Sequence, residues 1–317
     1  MRLRKLMVDL AVIAVALILF VAWHQKYIDR SIQTAASPNN REIDVYLITT
    51  DKGYQYWEQL NRGASDMAIL MGVNYVWTAP ADRSTEQQIE LINQAVEQGA
   101  EAIIVVADKP ERISSTIEQA KAKGVKVIYV DSPPHQDAIT TLSTNNYKAG
   151  VRAGQTMIGI LEDLGKSSGS VGIINLAAKA NTKLREDGFR ETLEQDGRYR
   201  LLDTVYVERD ELEASKIAAE RIMSENEDLV ALFGASERTS IGVGNAIKDS
   251  DKEYVGVGFD RTDAMVRLLR DKHLNAIIAQ NPYTMGYLGM AQAVAAVNGD
   301  DTGPKYIDTG VSVLINY

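Results

Sequence analysis

From residue 43 onward, short continuous apolar runs alternate with longer stretches whose apolar positions recur at helical spacing. The first four runs are 43–48, 74–77, 102–106 and 125–130. Amphipathic stretches follow them, such as 85–97 with Ile89, Leu91, Ile92 and Val96, and 112–123. A second series of runs occupies 170–176, 201–207, 229–233, 254–259 and 275–279, with helices expected at 182–194, 212–223 and 262–272. Continuous apolar strands alternating with helices predict parallel sheets covered on both faces. The count predicts an α/β fold of two doubly wound parallel-sheet lobes in succession. Ligands of such sheets bind beyond the carboxyl ends of the strands. The residues just after each strand are therefore the place to look for function.

The first thirty residues follow another pattern. Arg2, Arg4 and Lys5 precede an apolar stretch from residue 10 to residue 20 that continues through Val21, Ala22 and Trp23, with Asp9 interrupting on its N-terminal side. That length lies between a signal-peptide core and a spanning helix. Trp23-His24-Gln25-Lys26 is a poor cleavage site, and Thr34-Ala35-Ala36 stands too far downstream. The reading is an uncleaved signal anchor over 1–24, with a cleaved signal and a buried helix as alternatives. Residues 25–42 then read as a tether, broken by Ala36-Ser37-Pro38-Asn39-Asn40. Basic residues ahead of the anchor place the remaining chain outside the cytoplasm. The expected localisation is the cell membrane, single-pass, with the folded part extracytoplasmic.

Composition narrows the chemistry. Among 317 residues there is no cysteine, which removes disulfides, thiolate nucleophiles and a cysteine-linked lipid. Forty-three Asp and Glu against 34 Lys and Arg give a net charge of −9, which disfavours a nucleic-acid partner. Gly165-Lys166-Ser167 resembles the end of a phosphate loop, but the earlier glycine would fall at Ile160; a helix cap is the better reading. Gly242-Val243-Gly244 and Gly256-Val257-Gly258 lack the third glycine of a dinucleotide fingerprint. No paired-histidine metal motif and no Gly-x-Ser-x-Gly elbow occurs. Neither an enzyme nor a cofactor is expected.

The strand ends carry a different set. After the first strand come Tyr54, Tyr56 and Trp57, and after the fourth Asp131 and Ser132. The second series offers Arg185, Ser236, Glu237, Phe259, Asp260 and Gln280. Carboxylates and arginine make charge-assisted hydrogen bonds to hydroxyls, and aromatic rings stack on the C–H faces of a sugar. Each has a plainer alternative. Asp131 and Asp260 could cap the helices that follow them. Tyr56 and Trp57 could belong to the core of the first helix, and Phe259 to that of the sheet. Arg185 could be a solvated helix residue paired with Glu186 or Asp187.

These residues also carry a family resemblance. Tyr56-Trp57-x5-Gly63-Ala64, Gln88-Ile89-x-Leu91-Ile92, Val130-Asp131-Ser132 and Thr144-Asn145-Asn146 come first. Arg185-x-x-Gly188-Phe189, Gly258-Phe259-Asp260 and Gln280-Asn281-Pro282-Tyr283-x-x-Gly286 complete the set. In that order and spacing, the chain from residue 43 resembles a type I periplasmic binding protein of the ribose-binding branch.

The resemblance implies that Tyr56 and Trp57 stack on a sugar, Asp131 accepts from its hydroxyls, and Arg185, Asp260 and Gln280 complete a polar ring. Ser132 stands where ribose binders have arginine, and Tyr54 where they have asparagine, which argues for a ligand other than ribose. It further implies three crossings between lobes, near 144, 280 and 310. One lobe would then hold 43–144 plus 281–309, the other 145–280 plus 310–317, joined by a three-segment hinge. The expected function is capture of a monosaccharide or related polyol for an ABC permease. The alternative is a membrane-anchored sugar sensor signalling to a histidine kinase.

Overall fold

A computed structural model describes residues 43–81, 83–107, 109–132, 138–177, 180–208 and 212–316. The expected anchor and tether, 1–42, lie outside the described residues. Among the described residues, no helix is long and apolar enough to cross a membrane.

The first sheet grows from the predicted strands β1 (Asp44–Ile48), β2 (Asn74–Thr78), β3 (Ala102–Val105) and β4 (Lys126–Val130). Two short strands, β5 (Thr141–Ser143) and β12 (Tyr306–Asp308), extend it to the order β12-β5-β4-β3-β1-β2, parallel throughout. Successive side chains of a strand point to opposite faces, so Ile104 packs with Trp57, Leu60 and Met285 while Ile103 packs with Ile92, Ile113 and Ile117. Helices α1 (Gln55–Met71) and α9 (Pro282–Asn298) cover the first of these faces, and α2 (Thr85–Glu97) and α3 (Pro110–Ala122) the second.

The second sheet runs β13-β11-β10-β9-β6-β7, with β8 also paired to β6. Its strands are β6 (Gly169–Leu176), β7 (Tyr199–Leu201), β8 (Val205–Val207), β9 (Leu229–Gly234), β10 (Val255–Phe259), β11 (Ala276–Gln280) and β13 (Val311–Ile315). Only β13 is antiparallel to its neighbour. Helices α4 (Asn146–Asp163) and α5 (Ala180–Asp196) pack on one face, where Phe189 stacks on Phe233 at 4.3 Å. The other face carries α6 (Leu212–Glu225), α7 (Glu237–Lys248) and α8 (Asp263–Arg270). Two doubly wound parallel-sheet lobes are thus present, as the hydrophobic pattern predicted.

One predicted strand is not continuous. The run 201–207 divides into β7, paired with 169–171, and β8, paired with 174–176. Between them Arg190 Nη2 donates to Leu202 O at 2.9 Å and to Thr204 Oγ1 at 2.6 Å. These bonds hold the intervening backbone to α5.

The chain changes sheet between β5 and α4, between β11 and α9, and between β12 and β13. Side chains bind these three passages together. Asp308 Oδ1 accepts from the backbone N–H of Asn145 (3.0 Å) and of Gly310 (2.9 Å). Asn281 Nδ2 donates to Thr309 O at 2.8 Å.

Within each lobe, one helix pair meets backbone to backbone through reciprocal glycines. A Cβ on Gly63 would stand 2.0 Å from Tyr283 O, and one on Gly286 1.9 Å from Leu60 O. In the other lobe a Cβ on Gly150 would stand 1.9 Å from Arg185 O, and one on Gly188 2.1 Å from Tyr147 O. The close approach of α4 and α5 fixes where Arg185 begins.

Candidate functional site

Asp131 and Asp260 follow β4 and β10, and both adopt left-handed backbone, with φ of 65° and 77°. Few residues other than glycine tolerate this region, although aspartate does so more readily than most. Asp131 N–H donates to Leu142 O on β5 (2.8 Å), and Asp260 N–H to Ile278 O on β11 (2.9 Å). Among the described residues, neither side chain caps a helix. The helix after Asp260 is capped by Thr262, whose hydroxyl accepts from Met265 N–H.

Around Asp131 the first lobe assembles a half-buried hydroxyl–carboxylate pair. Tyr56 OH donates to Asp131 Oδ1 at 2.6 Å, and Ser132 Oγ donates to Oδ2 at 3.2 Å. Burial pushes the Asp131 carboxyl above its ordinary range, against the lowering pull of Tyr56, Arg185 and Ser132. Burial also raises the Tyr56 phenol well above its usual value, assisted by the negative charge of Asp131. Asp131 senses the charges of both Arg185 and Asp260 from the opposite lobe. The lobes also touch directly, Gln55 Nε2 of the first donating to Asp263 Oδ2 of the second at 3.1 Å, so their strand ends face one cleft.

Arg185 is the buried cation of that site, 4% exposed. Its guanidinium lies 3.8 Å above the centre of the Phe259 ring. Nε donates to Asn146 Oδ1 at 2.8 Å, Nη1 donates to Ala235 O at 3.1 Å, and Nη1 stands 3.8 Å from Asp260 Oδ2. No bond joins it to Glu186 or Asp187, so the solvated-helix alternative is set aside. Gln280 Nε2 donates to Asp260 Oδ1 at 2.6 Å, while Gln280 Oε1 is buried and has no donor among the described residues. Such an orphaned acceptor is costly unless a ligand or water donates to it.

Other expected contact residues have partners within the protein. Trp57 is a core residue: its indole N–H donates to Asp51 Oδ2 at 3.1 Å, and Tyr56 meets it edge-on at 4.8 Å. Phe259 is fully buried beneath Arg185. Ser236 caps α7 through a capping box with Thr239, its N–H donating to Thr239 Oγ1 at 2.9 Å. Glu237 is the first residue of α7, where a negative charge suits the helix dipole. Tyr54 stands at the rim as the N-cap of α1, with the Arg238 guanidinium 5.3 Å from its ring centre and that of Arg83 at 6.0 Å.

Sequence reasoning missed several members. Buried Asp51 accepts from Trp57, from Gly53 N–H (3.0 Å) and from Thr50 Oγ1 (3.2 Å). Its position just after β1 was the available signal. Asn146, which enters the sequence analysis only as the end of the motif Thr144-Asn145-Asn146, orients Arg185. Gln55 meets Asp263, and Arg238 lies over Tyr54; nothing in the one-dimensional pattern pairs them.

Arrays of carboxylates, a desolvated guanidinium and a phenol, none adjacent to a nucleophile, suit binding rather than bond breaking. Among the described residues no group of acidic and histidine side chains could hold a metal ion. A separate, open concavity is lined by Gly169, Arg198, Arg200 and Asp228, and its arginines are already paired with Asp196, Glu162 and Asp228.

Comparison with known proteins agrees with this geometry. A curated relative, the ribose import binding protein RbsB of Bacillus subtilis (strain 168), is 24% identical over 266 residues, covering 83% of this chain and 84% of the relative. Among solved structures, the arabinose-binding protein AraP of Geobacillus stearothermophilus superposes with a TM-score of 0.79 at 26% identity, covering 87% of this chain and 97% of that one. The periplasmic component of an ABC-type sugar transport system from Hahella chejuensis gives 0.76 at 28% identity, covering 86% and 100%. Residues 45–301 match the family model described as a periplasmic binding protein domain. The chain is a member of the periplasmic binding protein family, a binding protein and not an enzyme.

Proposed function

We propose that the protein captures a monosaccharide or related polyol between its two lobes, closes on it and delivers it to an ABC permease. The observation that carries this reading is the Asp131–Asp260–Arg185 constellation. Two carboxylates in left-handed backbone end equivalent strands of opposite lobes, and one of them, Asp260, stands 3.8 Å from a desolvated guanidinium whose charge also acts on the other. Hydroxyls of a sugar donate to the carboxylates and accept from Arg185, and a ligand that bridges the lobes favours the closed form. In this reading Tyr56, Asp131, Ser132, Arg185, Asp260 and Gln280 contact the sugar, with Tyr54 and Glu237 at the rim. Trp57, Phe259 and Ser236 hold them in place. The moving units are 43–144 with 281–309 and 145–280 with 310–317, and the three passages between sheets act as the hinge. Family membership and the sugar-binding relatives support the extracytoplasmic placement and the sugar class.

Thermal unfolding of the full chain against hexoses, pentoses, polyols and amino acids at equal concentration tests the ligand class, since stabilisation follows concentration relative to Kd. A pyranose-sized sugar should raise Tm most. A largest shift with ribose would overturn the argument from Ser132 and Tyr54, and stabilisation by amino acids alone would overturn the sugar reading.

A sensing role is favoured by a separate observation. An apolar segment from 10 to 23 behind basic residues, in a chain without cysteine, fits an anchored subunit rather than a lipid-attached one. A sensor kinase encoded beside the gene supports signalling, and an ATPase–permease pair supports transport. N-terminal sequencing of the membrane pellet checks the anchor, and a mature start near residue 37 would remove it.

A further inference from the structure

Two contacts join the lobes at the rim of the cleft, apart from its polar interior. Gln55, the first residue of α1, donates from Nε2 to Asp263 Oδ2 at 3.1 Å. Its Oε1 accepts from the Asp263 backbone N–H, also at 3.1 Å. Asp263 is the first residue of α8, so two helix N-termini from opposite lobes meet at one carboxamide. A carboxamide suits this position because it offers a donor to the carboxylate and an acceptor to the N–H at once. Nearby, Arg238 of α7 reaches across to the ring of Tyr54, a cation–π arrangement.

Every partner in these contacts belongs to the protein. Their formation therefore requires no atom of a solute. We propose that the Gln55–Asp263 pair, assisted by Arg238 on Tyr54, is a ligand-independent clasp that populates the closed form and sets how long a captured solute remains. Gln55, Asp263 and Arg238 are thus positioning residues. Two hydrogen bonds and one cation–π contact of ordinary net strength change the closed-to-open ratio by roughly ten- to a hundredfold. Solute enters the open form and leaves only after opening, so the clasp acts chiefly on release.

The proposal rests on the reading that the lobes close and open, but its test needs no sugar. The chain has no cysteine, so Glu90→Cys on α2 and Glu213→Cys on α6 give one spin-label site per lobe. Pulsed electron-spin distance measurement on the ligand-free full chain should show a dominant short distance. Gln55→Ala should move population to a longer distance, and Gln55→Glu should do so further, because it faces the Asp263 charge. Asp263→Asn should resemble the parent, since its side-chain oxygen still accepts and its N–H is unchanged. Identical distance distributions for the parent, Gln55→Ala and Gln55→Glu would overturn the clasp, as would a parent that is entirely open. Failure of the sugar panel would leave these distances unaffected, so the two readings fail separately.

Discussion

Asp131 and Asp260 are structural counterparts: each ends a parallel strand in left-handed backbone, its N–H held by a carbonyl of the next strand in the sheet. Unusual backbone that persists at the mouth of a cleft points to use rather than accident. If these carboxylates bind hydroxyls, Asp131→Ala and Asp260→Ala should each weaken sugar binding by about 2–4 kcal/mol, because each strands a desolvated partner. Glycine at either position relieves the left-handed strain without restoring the carboxylate. Glycine and alanine variants should therefore bind equally poorly, with the glycine variants melting higher. Calorimetry showing parental affinity in both alanine variants would leave the two aspartates with a purely structural role.

Much of this site was legible because strand-end residues can be located once the strands are. The alternation of apolar runs placed Asp131, Asp260 and Gln280 correctly, and the motif Arg185-x-x-Gly188 reflects the glycine contact that sets α5 against α4. Long-range pairs were not legible. Gln55 meets Asp263 across 208 residues of sequence, and no local pattern encodes that meeting. The strands β5 and β12 escaped notice because each has three residues, too few for a period to register. For Trp57 the sequence leaves a stacking ring and a core residue both open, because an aromatic after a strand looks the same in either role; the structure buries it, with its indole N–H on Asp51.

Burial of Asp131 should make sugar binding sensitive to acid, and the bond from Tyr56 should temper that sensitivity. Burial is the largest influence on Asp131 and raises its pKa, while the Tyr56 hydroxyl is foremost among the groups that lower it. Hydroxyl donors prefer the charged carboxylate, so sugar affinity should fall on acidification from a pH above the ordinary aspartate range. Stability moves oppositely: a raised folded pKa means that this residue's contribution declines as pH rises from about 3.9 to the folded value. Tyr56→Phe removes a donor to the charged form and should shift the acid loss of affinity to still higher pH. Asp131→Asn should abolish that component. Isothermal titration from pH 4 to 8 measures both, and superimposable profiles for parent and Tyr56→Phe would sink the account.

Helix contact through Gly150 and Gly188 predicts an effect on both stability and binding. Alanine at Gly188 puts a methyl into the Tyr147 carbonyl, and α4 and α5 must separate. Overpacking of this kind costs about 1–3 kcal/mol, and the displaced Arg185 should lower sugar affinity as well. Gly159, also on α4, has open space where a Cβ would stand. Gly159→Ala should instead stabilise by about 0.5–1 kcal/mol through helix propensity. Urea unfolding separates the two outcomes; equal effects from both substitutions would refute the packing argument.

Glu186 lies next to Arg185 in sequence but turns toward its own lobe. Its side chain is 3% exposed and accepts from Asn175 Nδ2 (2.8 Å), Thr204 Oγ1 (2.7 Å), Tyr206 OH (2.9 Å) and Arg190 Nε (3.1 Å). These donors join β6, α5 and β8, the region where the predicted strand 201–207 divides. Burial is the largest single influence and raises the carboxyl pKa, but the four donors together outweigh it and the net shift is downward. A lowered folded pKa contributes stability above the unfolded value of about 4.3, lost as pH falls through the folded value. Glu186→Gln leaves Arg190 without its counter-charge and presents an amide to groups that already donate. It should destabilise the protein by about 1–3 kcal/mol at pH 7. Arg190 is 23% exposed, and solvent screening keeps the effect below that of a fully buried pair. In acid the parent loses the carboxylate contribution while the glutamine variant has none to lose. The stability gap should therefore narrow steadily between pH 7 and pH 3, and urea denaturation showing a constant gap would mean that Glu186 holds this corner by shape rather than by charge.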